Sequence, residues 1–139
     1  MKLRRVTLFA CVLAIAMLSV AGLSAQATKA QTGTEFYKAY IEAFGKAKSI
    51  DEVAKWLAKE QRDKIAASPK DDQKMMFGMI QEMSADHTDI KVLKETPTAS
   101  GAELDVEAMS KASKGKVKAK ITLVKENGEW KVSKEAWQG

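Results

Sequence analysis

The sequence predicts an α+β domain: three helices, then a four-strand antiparallel sheet. Apolar residues recur every three to four positions as far as Ser84, the spacing of helices buried on one side. From Ile90 onward they alternate by two, as in half-buried strands. Between the last two strands stands Asn127-Gly128, a dipeptide suited to the two-residue hairpin turn because both of its residues tolerate positive φ.

Ahead of this domain, MKLRRVTLFACVLAIAMLSVAGLSAQA has the tripartite layout of a secretory signal: Lys2, Arg4 and Arg5, an apolar run from Val6 to Val20, and a small-residue exit ending Ala25-Gln26-Ala27. Residues 1–27 are therefore expected to be removed, 28–33 to form a flexible leader and 34–139 to form the domain. The apolar run is shorter than the roughly 20 residues that span a bilayer comfortably, so cleavage is favoured over an anchor and no membrane span is expected afterwards. A lipid-attachment box around Cys11 fails on order, since most of the apolar run follows the cysteine.

Cleavage removes three of the 23 basic residues and none of the 18 acidic ones, lowering the net charge from +5 to +2. Nucleic acid thereby loses its compositional support as a partner. The single cysteine, Cys11, leaves with the signal, so disulfides, thiolate metal sites and thiol nucleophiles are excluded from the remaining chain.

Thr32 and Glu35 fit a capping box, which starts helix one; Phe36, Tyr37, Tyr40, Ile41 and Phe44 then form one broad aromatic face as far as Lys46. Ser49 and Glu52 repeat the capping pattern for helix two, whose stripe is Ile50, Val53 and Leu57 and which is expected to reach Lys59, with a continuation through Gln61 to Ala67. Ser68-Pro69 breaks it, and proline suits the first turn of helix three, expected to run to about Ser84. Ile90 and Val92 mark the first strand. In the middle strands Ala102, Leu104, Val106 and Ala108 face Val117, Ala119, Ile121 and Leu123. If paired residues sum to 225, Leu104 meets Ile121 and Val106 meets Ala119 on one face, while Asp105 meets Lys120 and Glu107 meets Lys118 on the other. One register satisfies both faces, so the lysine row needs no polyanion to explain it.

The last strand reads NGEWKVSKEAW over residues 127–137. Gly128, Trp130, Lys131 and Val132 in this stretch, after three helices and a meander, resemble the nuclear transport factor 2-like superfamily and, within it, small exported lumazine-binding-like domains. The resemblance covers Thr34 to Trp137. It implies a cystatin-like cone, in which a curved sheet wraps a helix and the open end holds a small molecule, a catalytic site or nothing. It also implies a homodimer through the sheet face, because many relatives pair their sheets. Enzymes of the superfamily place an Asp, His or Tyr in the cone. Here one histidine is present and no acid falls within the apolar rows, so no catalytic residue is carried over.

MMFGMIQEM, residues 75–83, is the most unusual stretch. Met75, Met79, Met83 and His87 recur every fourth residue, and aligned thioethers suit Cu(I). Met76, Met79, Ile80 and Met83 also have the spacing of a buried face, and flexible methionine fills irregular cores, so core or pocket lining is the expectation and no metal site is assigned. Gly78 is expected to allow close packing. His87, beside Asp86 and Asp89, is read as a solvated loop residue, and Asp71, Asp72 and the Asp86–Asp89 cluster as capping and solvation. No G-x-S-x-G, G-x-x-x-x-G-K-[ST] or H-E-x-x-H motif is present.

Tyr40, Phe44, Met79, Met83 and Trp130 are the candidate pocket wall. Trp137 falls on the opposite strand parity from Trp130 and is expected to be exposed. The expected function is binding without catalysis, of a small apolar ligand in the cone or of an envelope protein on the sheet, with no cofactor. An isomerase- or dehydratase-type enzyme and methionine-based copper binding are the alternatives. Periplasm is favoured over full secretion.

Overall fold

A computed structural model describes residues 31–138, so the expected signal and residues 28–30 lie outside the described residues. Thr32 caps the first helix as its sequence predicts: its hydroxyl accepts from Glu35 N–H at 3.1 Å, and the Glu35 carboxylate accepts from Thr32 N–H at 2.8 Å. The elements are α1 (Gly33–Lys46), α2 (Ile50–Ala54), α3 (Lys59–Ala67), α4 (Lys70–Asp86), β1 (His87–Pro97), β2 (Gly101–Ser110), β3 (Gly115–Glu126) and β4 (Glu129–Gln138). The strands form one curved antiparallel sheet in the order β1-β2-β3-β4. None of the described helices is long and apolar enough to cross a membrane.

Among the described residues four helices replace the three expected. The second helix stops at Ala54 instead of running to Lys59 or beyond, because the chain there bonds to the sheet. Ala58 N–H donates to Val132 C=O at 2.8 Å, and Val132 N–H donates to Trp56 C=O at 2.9 Å. Both Val132 groups lie on the open edge of β4, so residues 56–58 cover an edge that would otherwise be unpaired. Helical periodicity in the sequence cannot see that competing partner. The last helix also runs two residues past Ser84, to Asp86.

The middle of the sheet matches its pattern. Leu104 pairs with Ile121, Val106 with Ala119, Asp105 with Lys120 and Glu107 with Lys118. Lys120 lies 2.9 Å from both Glu103 and Asp105, and Lys116 lies 2.8 Å from Glu107. Asn127 and Gly128 have φ of 51° and 80° and form the tight turn between β3 and β4. The outward face of the sheet is thus mainly charged, with Leu93 its large exposed apolar side chain. On the inward face Leu104, Val106, Ile121 and Leu123 pack against Phe36, Tyr37, Tyr40 and Phe44 of α1.

The methionine helix is rotated relative to expectation. Phe77, Ile80 and Met83 pack on the core, while Met75 and Met79 are 61% and 64% exposed. Periodicity locates a stripe, but which edge of it turns inward depends on the shape of the surface beneath. Met79 is therefore not core. It lines an open outer groove of about 740 Å³ with Ile50, Ile65 and Met76. Gly78 does not serve close packing either, since a Cβ there would meet nothing within 4 Å. The close approach is at Gly101, where a Cβ would lie 2.1 Å from the Leu123 carbonyl oxygen.

Among the described residues, two of the three register shifts in the sheet decide which acidic side chains enter the concave face. In β4, Val132 pairs with Leu123 but Lys134 pairs with Thr122, leaving Ser133 as an extra residue. In β1, Val92 pairs with Val106 but Lys94 pairs with Asp105, leaving Leu93 extra. Each extra residue reverses the in-out alternation beyond it. Glu135 and Trp137 thereby join Val132 on the helix side, and Glu95 faces inward opposite Leu104. The expectations of an exposed Trp137 and of no acid within the apolar rows are both overturned by these single-residue insertions.

Candidate functional site

The two inward glutamates have different surroundings. Glu95 closes the start of α1, accepting from Gly33 N–H at 3.0 Å, Thr34 N–H at 2.9 Å and the Thr34 hydroxyl at 2.6 Å. Burial pushes its carboxyl up, but the bonds from Thr34 and Gly33 together outweigh this and hold it below the usual range. Its acceptor capacity is spent on the helix end.

Glu135 has one such bond, from the Tyr37 hydroxyl at 3.1 Å. Burial pushes its carboxyl up to about 7, and the Tyr37 bond pulls only partly back. Burial, followed by the negative charge of Glu135, likewise raises Tyr37 and Tyr40, so both phenols stay protonated.

Around Glu135 the helices place an aromatic wall. Tyr37, Tyr40 and Phe44 recur on one side of α1, with ring centroids 5.7 Å and 5.2 Å apart in succession. From the far side come Met83 of α4 and His87, where α4 hands over to β1. The His87 side chain is 13% exposed and its ring lies 4.2 Å from that of Trp137, which corrects the reading of it as a solvated loop residue. Its Nε2 is 3.6 Å from Asp86, whose carboxylate also accepts from Ser110 Oγ and Ala112 N–H, each at 2.7 Å. Those bonds, the Ser110 bond foremost, hold Asp86 low and anchor the helix end that presents His87.

The space enclosed is about 60 Å³, room for about two waters or the tip of a ligand at liquid density. It shares Tyr40, Phe44, Met83 and Glu135 with a wider groove of about 290 Å³ at the rim. Trp137 Nε1 is buried with no hydrogen-bond partner among the described residues. An orphaned donor of this kind costs about 1–3 kcal/mol, so an acceptor arriving there recovers the cost. Chemically, the arrangement offers a carboxyl that changes state near neutral pH, a fixed N–H donor and an apolar wall. Among the described residues no group of three His, Cys, Asp or Glu side chains comes together as a metal site.

Of the five candidate wall residues, Tyr40, Phe44 and Met83 meet at Glu135. Met79 lies in the outer groove. Trp130 lies at the other end of β4, its Nε1 donating to the Gln31 carbonyl at 2.8 Å. Sequence reasoning missed Glu135, Tyr37 as its partner, and the inward turn of Trp137 and His87. One signal was present: Trp130 and Val132 share a parity that Trp137 breaks, and a large aromatic out of phase within one strand is what a bulge between them would produce.

No family model matches the chain, and no curated protein matches it. Among solved structures it is similar to a Campylobacter jejuni protein provisionally named an NTF2-like transpeptidase, with 14% identity and a TM-score of 0.42, over 73% of this chain and 93% of that one. A likeness this distant transfers no activity.

Proposed function

We propose that the protein is an exported binding domain that holds a small molecule at Glu135, with an apolar body in the rim groove and one polar group reaching the inner space. The observation that carries this is Glu135 itself, an inward carboxyl with a single protein hydrogen bond beside an orphaned Trp137 N–H. Apolar walls with a few convergent polar groups are the usual composition of a ligand site. The nuclear transport factor 2-like reading accords with helices seated on the concave side of a four-strand sheet and a pocket at its open end. Export rests on the residues that precede the domain.

Native mass spectrometry of protein purified from its own host tests this. A small molecule should accompany the wild type and be lost or much reduced in Glu135→Gln. A ligand retained equally by both, or no ligand in either together with no response of Trp137 to a library of small acids and carbonyl compounds, would overturn the reading.

A second reading, proton transfer on the bound molecule, is favoured by the raised carboxyl of Glu135, because an acid or base works best when it titrates near the working pH. Conversion of the co-purified molecule by wild type and not by Glu135→Gln would select it over simple binding.

A further inference from the structure

We propose that the groove at the hairpin end of the sheet, floored by Phe36, Trp56 and Trp130 and rimmed by Lys55 and Lys125, is a second binding site that takes a ring-shaped ligand carrying an anionic group. The groove encloses about 530 Å³ and shares no lining residue with either cavity at Glu135. That volume is in the range of small-molecule sites.

The floor is aromatic and held in place. Phe36 and Trp56 lie 5.6 Å apart with their rings tilted by 42°, and Trp56 also packs 6.3 Å from Tyr40. The Trp130 N–H is already committed to Gln31. What its indole can offer a ligand is therefore a ring surface rather than a hydrogen bond.

Charge supplies the second half of the specificity. Among the described residues three lysines and one glutamate line the groove. Lys131 is used internally, 2.9 Å from the Lys55 carbonyl oxygen and 3.3 Å from Glu129. Lys55 and Lys125 have no ion pair among the described residues, and the Lys125 ammonium sits 4.6 Å from the Trp130 ring centroid. An anion placed between these two ammonium groups meets positive charge that forms no ion pair among the described residues, beside an aromatic floor. Neither a bare anion nor a neutral ring uses both features. An aryl phosphate or carboxylate and an acidic sugar, whose C–H face packs on indole, share the required chemistry.

The three tryptophans make the test local, because Trp56 and Trp130 lie in this groove and Trp137 lies beside Glu135. The purified protein is titrated at low salt with phenyl phosphate while the indole N–H signals are followed by NMR. Trp56 or Trp130 should shift and saturate with Trp137 unmoved. Benzyl alcohol and inorganic phosphate, each carrying half of the chemistry, should bind about tenfold more weakly or worse, and salt at about 0.5 M should weaken phenyl phosphate several-fold. Replacing both exposed ammonium groups, Lys55→Ala with Lys125→Ala, should raise Kd about tenfold while lowering the melting temperature by no more than about 5 °C, the worth of the lost Lys125–Trp130 contact. A parallel titration with glucuronate separates the two sources, since the tighter ligand of the pair identifies an aromatic or a sugar ring. A shift confined to Trp137, benzyl alcohol binding as tightly as phenyl phosphate, an unchanged Kd in the double variant, or no response of Trp56 and Trp130 at about 10 mM would each overturn the proposal.

Discussion

Replacing Glu135 by glutamine should make the protein more stable by about 3 kcal/mol at pH 8 and by less than about 1 kcal/mol near pH 5. The carboxyl moves from 4.5 to about 7 on folding because burial disfavours its charged form. The folded state therefore keeps a proton that the unfolded chain releases. Stability from this group is fully present below 4.5 and is lost as pH rises through about 7. Each pH unit between those values is worth about 1.4 kcal/mol, so the loss at pH 8 amounts to about 3 kcal/mol. Glutamine imitates the neutral acid and still accepts from the Tyr37 hydroxyl, so the variant should be free of that loss. Urea unfolding of both proteins at pH 5 and pH 8 measures the difference directly. The acids held low, such as Glu95 and Asp86, weaken the fold only as pH falls below the ordinary carboxylate range, outside this window. A variant that differs from wild type by the same amount at both pH values would refute the reasoning, because Glu135 would then be ionising as a solvated carboxyl does.

Ile121, fully buried, and Met79, 64% exposed, should part company on truncation: Ile121→Ala should cost about 2–5 kcal/mol in chemical denaturation and Met79→Ala less than about 0.5 kcal/mol. Gly78→Ala should raise stability by about 1 kcal/mol, seen as a higher melting temperature, since the helix gains a better former and the new methyl meets nothing. Glu95→Gln should cost about 1–2 kcal/mol at pH 7 by weakening the bonds to Gly33 and Thr34. That cost should shrink as pH falls through the lowered value of Glu95, the opposite direction to Glu135, and urea unfolding at pH 3 and pH 7 would show it.

Much of the architecture was legible because it is written in local patterns. The Thr32–Glu35 capping box, the aromatic face of α1, the pairing of Leu104 with Ile121 and the Asn127-Gly128 turn each follow from residues that suit one backbone geometry or one face. The site was legible only in the part that its helices supply. Tyr40, Phe44 and Met83 could be placed from helical spacing, whereas Glu135 could not be placed by counting along the strand by twos.

What the sequence by itself determined is the set of elements whose periodicity is internal: helices before strands, a hairpin at Asn127, a charged outer face and an aromatic inner one. What only the tertiary structure decided is where that periodicity is interrupted or turned. Residues 56–58 leave the helix to cover the edge of β4, α4 rotates Met75 and Met79 to solvent, and the extra residues Leu93 and Ser133 turn Glu95 and Glu135 inward. Each of these outcomes is set by a partner distant in the chain, which a local pattern does not encode. In a strand of period two, one inserted residue is enough to exchange the solvent face for the site.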